Sequence, residues 1–199
     1  MSHWRDQLVY YVTVECRPVD KLSHLTRLVP LTRLVGSDTI YDDDLVFAAV
    51  WLHDLGVFIG HRPEDPIELA KWDHTSYAIR QSPSILTSVG FPADKIDGVL
   101  ETIRTHQPKD SPTTAEGTIL RDADMLEQLG AVSVLRTGSK VGRDTRFVTF
   151  DDVEVSLKRQ LDQFPALLRL EPSRRLAVPR IEALRRFLEA MRAESRLEV

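Results

Sequence analysis

The sequence predicts an all-α fold, and three observations support that prediction. Apolar residues recur at the three- and four-residue spacing of amphipathic helices along most of the chain. Glycines, prolines and helix-capping residues separate these periodic segments. Only residues 147–150 have the composition of an extended segment. We therefore expect one domain over residues 1–199, with a core of about residues 20–135 and C-terminal helices over residues 150–195 that pack on it.

The first two predicted helices precede the most informative motif of the chain. Leucines at helical spacing predict a helix over residues 20–35, bent at Pro30. A second helix is expected over residues 41–53, because aspartates favour its positive N-terminal end and Gly56 follows as a closing glycine.

The third and fourth predicted helices each carry a histidine. The sequence "DPIE", residues 65–68, opens the third helix with Asp65 as its cap and proline in its first turn. This helix is expected to carry His74 and to weaken at Pro83. Apolar residues at helical spacing predict the fourth helix over residues 96–106, so that it ends at His106.

Two further helices are predicted in the second half of the chain. The sequence "TTAE", residues 113–116, is a capping box that opens a helix through "GTILRDADMLEQLG". The tail "RLAVPRIEALRRFLEAMRAE" has an apolar stripe and alternating charges, which predict an amphipathic helix with a solvated face.

Composition excludes several classes of protein. The chain is 42% hydrophobic and 28% charged with a net charge of −4, so it lacks the basic field of a nucleic-acid-binding protein. Cys16 is the only cysteine, which excludes an internal disulfide and a thiolate-rich zinc site and fits a cytoplasmic protein. The apolar run at residues 8–14 is too short to cross a membrane, so no membrane partner is expected. A homo-oligomer is compatible with the sequence.

The stretch "AAVWLHDLG" places His53 and Asp54 at the end of an apolar run. Burying a polar group without a partner costs roughly 2–7 kcal/mol, and a charge costs more. A bound metal ion that pairs with both groups would remove this cost, since imidazole and carboxylate are ligands of first-row divalent ions. Three more histidines lie in or at the ends of predicted helices: His24, His74 and His106.

The order of these residues resembles the HD superfamily of metal-dependent phosphohydrolases. The family pattern H…HD…D is carried by "SHLTRLV", "WLHDLG" and "DADMLEQLG", and it corresponds to His24, His53, Asp54 and Asp124. "DHTSYAIR", "GFPADKIDGVLETIRTH", "AEGTILRDADMLEQLGAVSVLR" and "RIEALRRFLEAMRAE" resemble the single-domain bacterial branch of these proteins. The resemblance implies an HD-domain helical bundle that binds one or two divalent ions (Mn, Mg, Co, Ni or Fe) per protomer.

The resemblance also implies a reaction and the residues that carry it. Extra histidines between the HD pair and the last aspartate supply a second metal position, and His74 and His106 match them. The implied activity is hydrolysis of a phosphoester of a nucleotide or another small phosphorylated metabolite by a metal-activated water. Asp54, His74 and His106 are then the candidate catalytic residues. Position alone suggests three substrate-binding cations: Arg27, Lys71 and Arg136.

Two aspartates compete for the last ligand position. Helical periodicity places Asp122 nearer the buried face of its helix than Asp124. The family pattern selects Asp124 as the ligand, which leaves Asp122 as a candidate to orient a ligating imidazole.

Two other functions share the same ligand types. A di-iron HD-fold oxygenase has the same order of histidines and aspartates, because these side chains bind iron as well as the other ions. A non-catalytic HD module that binds a nucleotide is the other alternative.

Overall fold

The computed structural model describes residues 3–195, and the predicted all-α fold is confirmed. Within this range the chain forms ten α-helices and two short 3-10 helices, and no strand is present. The helices are α1 (Trp4–Glu15), α2 (Asp20–Val35), α3 (Asp43–Leu52), α4 (Pro66–Ala70), α5 (His74–Ser88), α6 (Ile96–Arg104), α7 (Ala115–Glu127), α8 (Ala131–Gly138), α9 (Phe150–Leu167) and α10 (Glu171–Ser195).

The chain divides into two compact units, Met1–Arg121 and Asp122–Val199. In the first unit α3 packs against α1, α2 and α6, and α6 also packs against α5. Six residues of α3 are buried, which explains why this helix is almost entirely apolar. Helix α3 is therefore the centre of the first unit, and it ends directly before His53.

Charges at the start of α3 hold the helices around it. The Asp42 carboxylate caps α3 by accepting a hydrogen bond from the Asp44 amide at 2.9 Å. The Arg5 guanidinium of α1 reaches Asp43 at 2.9 Å and Asp44 at 2.5 Å. The Lys95 ammonium lies 2.7 Å from Asp42. These contacts tie α1 and the segment before α6 to the N-terminus of α3.

The prediction of one continuous third helix is wrong, because the helix is interrupted between α4 and α5. Asp65 caps α4 as predicted, by accepting hydrogen bonds from two backbone amides. The helix then ends, and Asp73 caps a new one by accepting from the Ser76 amide at 3.1 Å. The Trp72 indole donates to the Gly56 carbonyl oxygen at 2.7 Å, which holds the intervening segment in place. His74 is consequently the first residue of α5.

Further local features also differ from the sequence predictions. Helix α6 ends at Arg104, two residues before the predicted end. At the start of α7, Thr114 rather than Thr113 accepts the capping hydrogen bond, from the Gly117 amide at 3.1 Å. Residues 147–150 form no strand; they lead into the N-terminus of α9. Helix ends depend on local capping interactions, which the periodicity of apolar residues does not predict.

The second unit contains the predicted C-terminal helices. Helices α9 and α10 pack against each other and against α8. A capping box of Thr149 and Asp152 begins α9. Leu184 and Leu188 of α10 are buried, as expected for the apolar stripe of the tail. No helix within residues 3–195 has the length and hydropathy needed to cross a membrane.

Candidate metal centre

His53 lies directly after α3 and is almost completely buried, with 1% of its side chain exposed. Its Nδ1 atom is 2.9 Å from the carbonyl oxygen of Val50. Because a carbonyl oxygen only accepts, Nδ1 carries the proton and Nε2 carries a lone pair. Nε2 is buried and has no hydrogen-bond partner among the described residues. A buried acceptor of this kind is costly unless a ligand pairs with it.

The ring of His106, which lies two residues after α6, is oriented in the same way. Its Nδ1 atom is 2.6 Å from the Ile103 carbonyl oxygen, so its Nε2 atom also carries the lone pair. The side chain is buried, and its ring centroid lies 5.0 Å from that of His53. Backbone carbonyl oxygens thus orient both rings through Nδ1, and the two Nε2 atoms lie in the same small region of the first unit. Metal-ligating imidazoles are commonly oriented in this way.

The Asp54 carboxylate faces two different imidazoles. Its Oδ2 atom is 3.7 Å from His53 Nε2, and its Oδ1 atom is 3.9 Å from His74 Nε2. Both distances exceed those of hydrogen bonds. One ligand atom from each of His53, Asp54 and His106 lies within 4.8 Å of the others, so this group has the composition and spacing to hold a metal ion.

The surroundings of Asp54 keep its carboxyl ionised. Burial alone would raise the pKa of this group, but the positive charge that His53, His74 and His24 carry when protonated, together with the Lys21 ammonium, lowers it by more. The pKa of Asp54 therefore lies well below its ordinary value of 3.8. An ionised carboxylate is the form that ligates a metal.

His24 and His74 extend this group on either side. His24 is buried on α2, and its ring centroid is 5.6 Å from that of His53. His74 is 30% exposed at the start of α5, and its ring centroid is 6.1 Å from that of His106. We call the five residues that the first unit brings together the candidate metal centre: His24, His53, Asp54, His74 and His106.

Gly56 lies against the backbone of His74, a contact that the sequence does not reveal. It lies in a 3-10 helix, Leu55–Val57, so its expected role as a helix-closing glycine is wrong. A Cβ atom at Gly56 would lie 2.6 Å from the backbone oxygen of His74 and 2.7 Å from its Cα. Only glycine permits this approach without a shift of the backbone. No local signal reveals it, because the two residues are far apart in the chain.

Asp122 and Asp124 belong to the second unit. Asp122 is fully buried, and its Oδ2 atom accepts hydrogen bonds from the Arg169 and Leu170 amides at 2.9 Å and from the Ser173 hydroxyl at 2.5 Å. These contacts give Asp122 a structural role at the start of α10. The Asp124 carboxylate accepts a hydrogen bond from the Gln128 amide group at 3.1 Å. The proposed metal-related roles of both aspartates stay predictions.

The three candidate cations occupy different surroundings. Arg27 is half-buried on α2, and Lys71 is exposed directly after α4. Arg136 belongs to the second unit and lies 3.4 Å from the Glu127 carboxylate. Their substrate-binding roles also stay predictions.

His61, in the loop after the HD motif, has a separate set of partners. Its ring nitrogens lie 2.9 Å from the Tyr77 hydroxyl and 3.0 Å from the Glu15 carboxylate. These bonds connect α1, the loop and α5, so His61 contributes to the packing of the first unit.

Comparison with known proteins shows similarity in structure. No family model and no curated protein matches the chain. The structure of Bacillus subtilis YpgQ in complex with ADP is 22% identical, with a TM-score of 0.72 over 96% of this chain and 94% of that one. A predicted HD superfamily hydrolase from an uncultured Thermotogales bacterium is 23% identical, with a TM-score of 0.65 over 95% of this chain and 91% of that one. An HD-superfamily hydrolase from Bacillus thuringiensis is 16% identical, with a TM-score of 0.70 over 98% of this chain and 97% of that one. The chain therefore has the fold of HD-superfamily proteins, as its sequence predicts.

Proposed function

We propose that this chain is a metal-dependent phosphohydrolase that acts on a nucleotide or another small phosphorylated metabolite. The observation that carries the proposal is the buried Nε2 atom of His53, which faces Asp54 and has no hydrogen-bond partner among the described residues. Two structurally similar proteins are named HD-superfamily hydrolases, and YpgQ was solved with ADP, which supports a nucleotide as substrate.

The donor set fits a first-row divalent ion, because it consists of imidazole nitrogens and a carboxylate. We propose that His24, His53, Asp54 and Asp124 hold one ion, and that Asp54, His74 and His106 hold a second. A bound ion supplies a water of lowered pKa and neutralises phosphoryl oxygens during hydrolysis.

The residues of the candidate metal centre differ in their exposure to solvent, and this difference suggests different roles. His24, His53 and His106 are buried and exclude water from the inner side of the centre. Asp54 and His74 are 22% and 30% exposed, so they form the side that a substrate can approach. Arg27, Lys71 and Arg136 are the cations proposed to hold the substrate phosphate.

The first experiment measures the metal content of the full chain, purified anaerobically and without chelator. We expect one or two divalent ions per chain, and we expect Asp54→Ala to lose most of them. The matched control is Asp65→Ala, which removes an exposed capping carboxylate of α4 and should retain the metal. Phosphate release from a panel of nucleotides then tests the reaction.

The identity of the metal decides between the proposal and its alternatives. Manganese, nickel, cobalt or magnesium together with phosphate release supports the phosphohydrolase. Two irons and consumption of oxygen would instead indicate the oxygenase. A chain that neither carries nor takes up metal would contradict the catalytic proposal and leave a nucleotide-binding module.

The same assay separates the two aspartates of α7. Asp124→Asn should lower the metal content, because we propose this carboxylate as a ligand. Asp122→Asn should retain the metal and lower the free energy of unfolding by about 1–3 kcal/mol, since it weakens buried hydrogen bonds to the start of α10. The opposite result would exchange the two roles.

A further inference from the structure

A side-chain hydrogen bond connects the residues that follow two of the proposed ligands. The Gln107 side-chain amide donates to the Thr75 hydroxyl oxygen at 2.7 Å. Gln107 directly follows His106, and Thr75 directly follows His74. The bond thus joins the loop after α6 to the first turn of α5, at the two points where these histidines are attached.

Both ends of this bond are held in place by the first unit. Thr75 is 7% exposed on α5. The Gln107 backbone amide donates to Asp110 at 2.9 Å, and its carbonyl oxygen accepts from the Arg121 side chain at 3.3 Å. With its backbone fixed on both sides, the Gln107 side chain has a defined reach to Thr75.

The His74 imidazole needs such support more than the imidazoles of His53 and His106 do. The rings of His53 and His106 are each oriented by the carbonyl oxygen three residues earlier. Among the described residues, no carbonyl holds the His74 ring in this way. Its position depends on the start of α5, where the backbone contacts Gly56 and the next residue accepts the bond from Gln107.

We propose that the Gln107–Thr75 hydrogen bond is a positioning clamp, which sets the separation of the His74 and His106 imidazoles and so the affinity of the metal position that they share. This inference rests on the proposed function, because it concerns the second of the two proposed ions. Thr75 and Gln107 act through the neighbouring histidines and do not touch the ion.

The test is a titration of the metal-free full chain with Co²⁺, followed by visible absorption and calorimetry. Wild type should bind two equivalents. Thr75→Val keeps the shape of the side chain but removes the acceptor, and Gln107→Met removes the donor. Each variant should bind the second equivalent about tenfold or more weakly and keep the affinity of the first, since partners of ligating residues typically contribute 10–100-fold to metal affinity.

Two controls separate positioning from general damage. Thr75→Ser retains the hydroxyl and should restore the second equivalent. Thr87→Val makes the same substitution on the same helix, where the hydroxyl donates to the Pro83 carbonyl oxygen of its own helix. It should leave both equivalents unchanged. The double variant of Thr75 and Gln107 should be no weaker than the weaker single variant, because both changes remove one bond.

The results that overturn the clamp differ from those that overturn the proposed function. The clamp is overturned if Thr75→Val and Gln107→Met bind both equivalents of Co²⁺ with wild-type affinity. It is also overturned if these variants lose affinity for both equivalents to the same extent. A wild-type chain that binds one ion also overturns it, but it leaves a metal-dependent hydrolase intact. A wild-type chain that binds no Co²⁺ overturns both proposals. If Thr75→Val does not fold, the affinity of Gln107→Met for Co²⁺ decides the outcome, because Gln107 is only half-buried in its loop.

Discussion

At the scale of single residues, His53 and His106 use the same local arrangement. Each lies one or two residues beyond the end of a helix, where the last backbone carbonyls have no partner within the helix. Each ring donates from Nδ1 to the carbonyl oxygen three residues earlier. The helix end therefore satisfies one nitrogen of each ring, which in the neutral ring makes the other nitrogen an acceptor.

Gly56→Ala tests whether close backbone approach positions His74. The added Cβ atom would lie 2.6 Å from the His74 backbone oxygen, so the start of α5 must move. We expect the free energy of unfolding to fall by about 1–3 kcal/mol, as in other overpacked sites, and metal affinity to fall with it. Urea unfolding and Co²⁺ titration measure the two effects.

Gly138→Ala is the matched control for this substitution. Gly138 is the last residue of α8, and a Cβ atom there meets nothing within 4 Å. Alanine should leave metal affinity unchanged and change stability by no more than about 1 kcal/mol, in the stabilising direction. Equal behaviour of the two alanine variants would contradict the role of Gly56.

At the scale of elements, the break between α4 and α5 matters more than the helices themselves. A continuous helix would place His74 in its middle, with its backbone amide bonded to the preceding turn. The observed break makes His74 the first residue of α5 and lets the chain before it contact Gly56 through Trp72. The position of the helix N-terminus therefore decides whether His74 reaches Asp54.

The loop between α8 and α9 is held by a carboxylate with a lowered pKa. Burial alone would raise the pKa of Asp144, but the side-chain and backbone hydrogen bonds from Arg146, the charge of Arg146 and that of Lys140 lower it to about 2. The Arg146 guanidinium makes two bonds to Asp144, at 2.7 Å and 3.0 Å.

Because of this lowered pKa, we expect the free energy of unfolding to depend on pH. Because the pKa of Asp144 is lower in the folded than in the unfolded chain, its contribution is present above the unfolded value of 3.8 and is lost as the pH falls through about 2. Arg146 is 75% exposed, so solvent screening limits the contribution to about 1 kcal/mol or less. Urea unfolding of wild type and Asp144→Asn should show a difference at neutral pH that shrinks between about pH 4 and pH 2. A difference independent of pH would show that the ion pair contributes nothing.

At the scale of the whole molecule, metal binding should stabilise the fold. The candidate metal centre joins side chains from α2, the ends of α3 and α6 and the start of α5, so an ion can bind it only when the first unit is folded. A free ion at 100 times its dissociation constant should add about 2.7 kcal/mol to the free energy of unfolding. Unfolding with and without a chelator measures this shift.

Two histidine variants show whether the shift arises at the proposed centre. His53→Gln should reduce it, because the buried Nε2 ligand of the first proposed ion is lost. His61→Gln should keep it, because His61 bonds Glu15 and Tyr77 outside the centre. An undiminished shift in His53→Gln would place the stabilising ion elsewhere.

Much of the fold follows from local information in the chain. Periodic apolar residues and caps predict the helix that carries His24 and the helices that end shortly before His53 and His106, because amphipathicity depends on residues three and four positions apart. Helix ends are less accurate: α6 stops two residues early, and the predicted third helix is two helices. The second difference arises because Asp73 caps a new helix, and the spacing of apolar residues does not indicate this cap.

The sequence by itself determined which histidines and aspartates are candidate ligands, their order along the chain and the helices that they lie on or follow. Only the tertiary structure decided that the two oxygens of Asp54 face different histidines, that Gly56 touches His74 and that Gln107 bonds Thr75. The physical reason is the range of the interactions. Helical periodicity and capping act within a few residues, whereas these contacts join residues far apart in the chain and depend on how the helices pack.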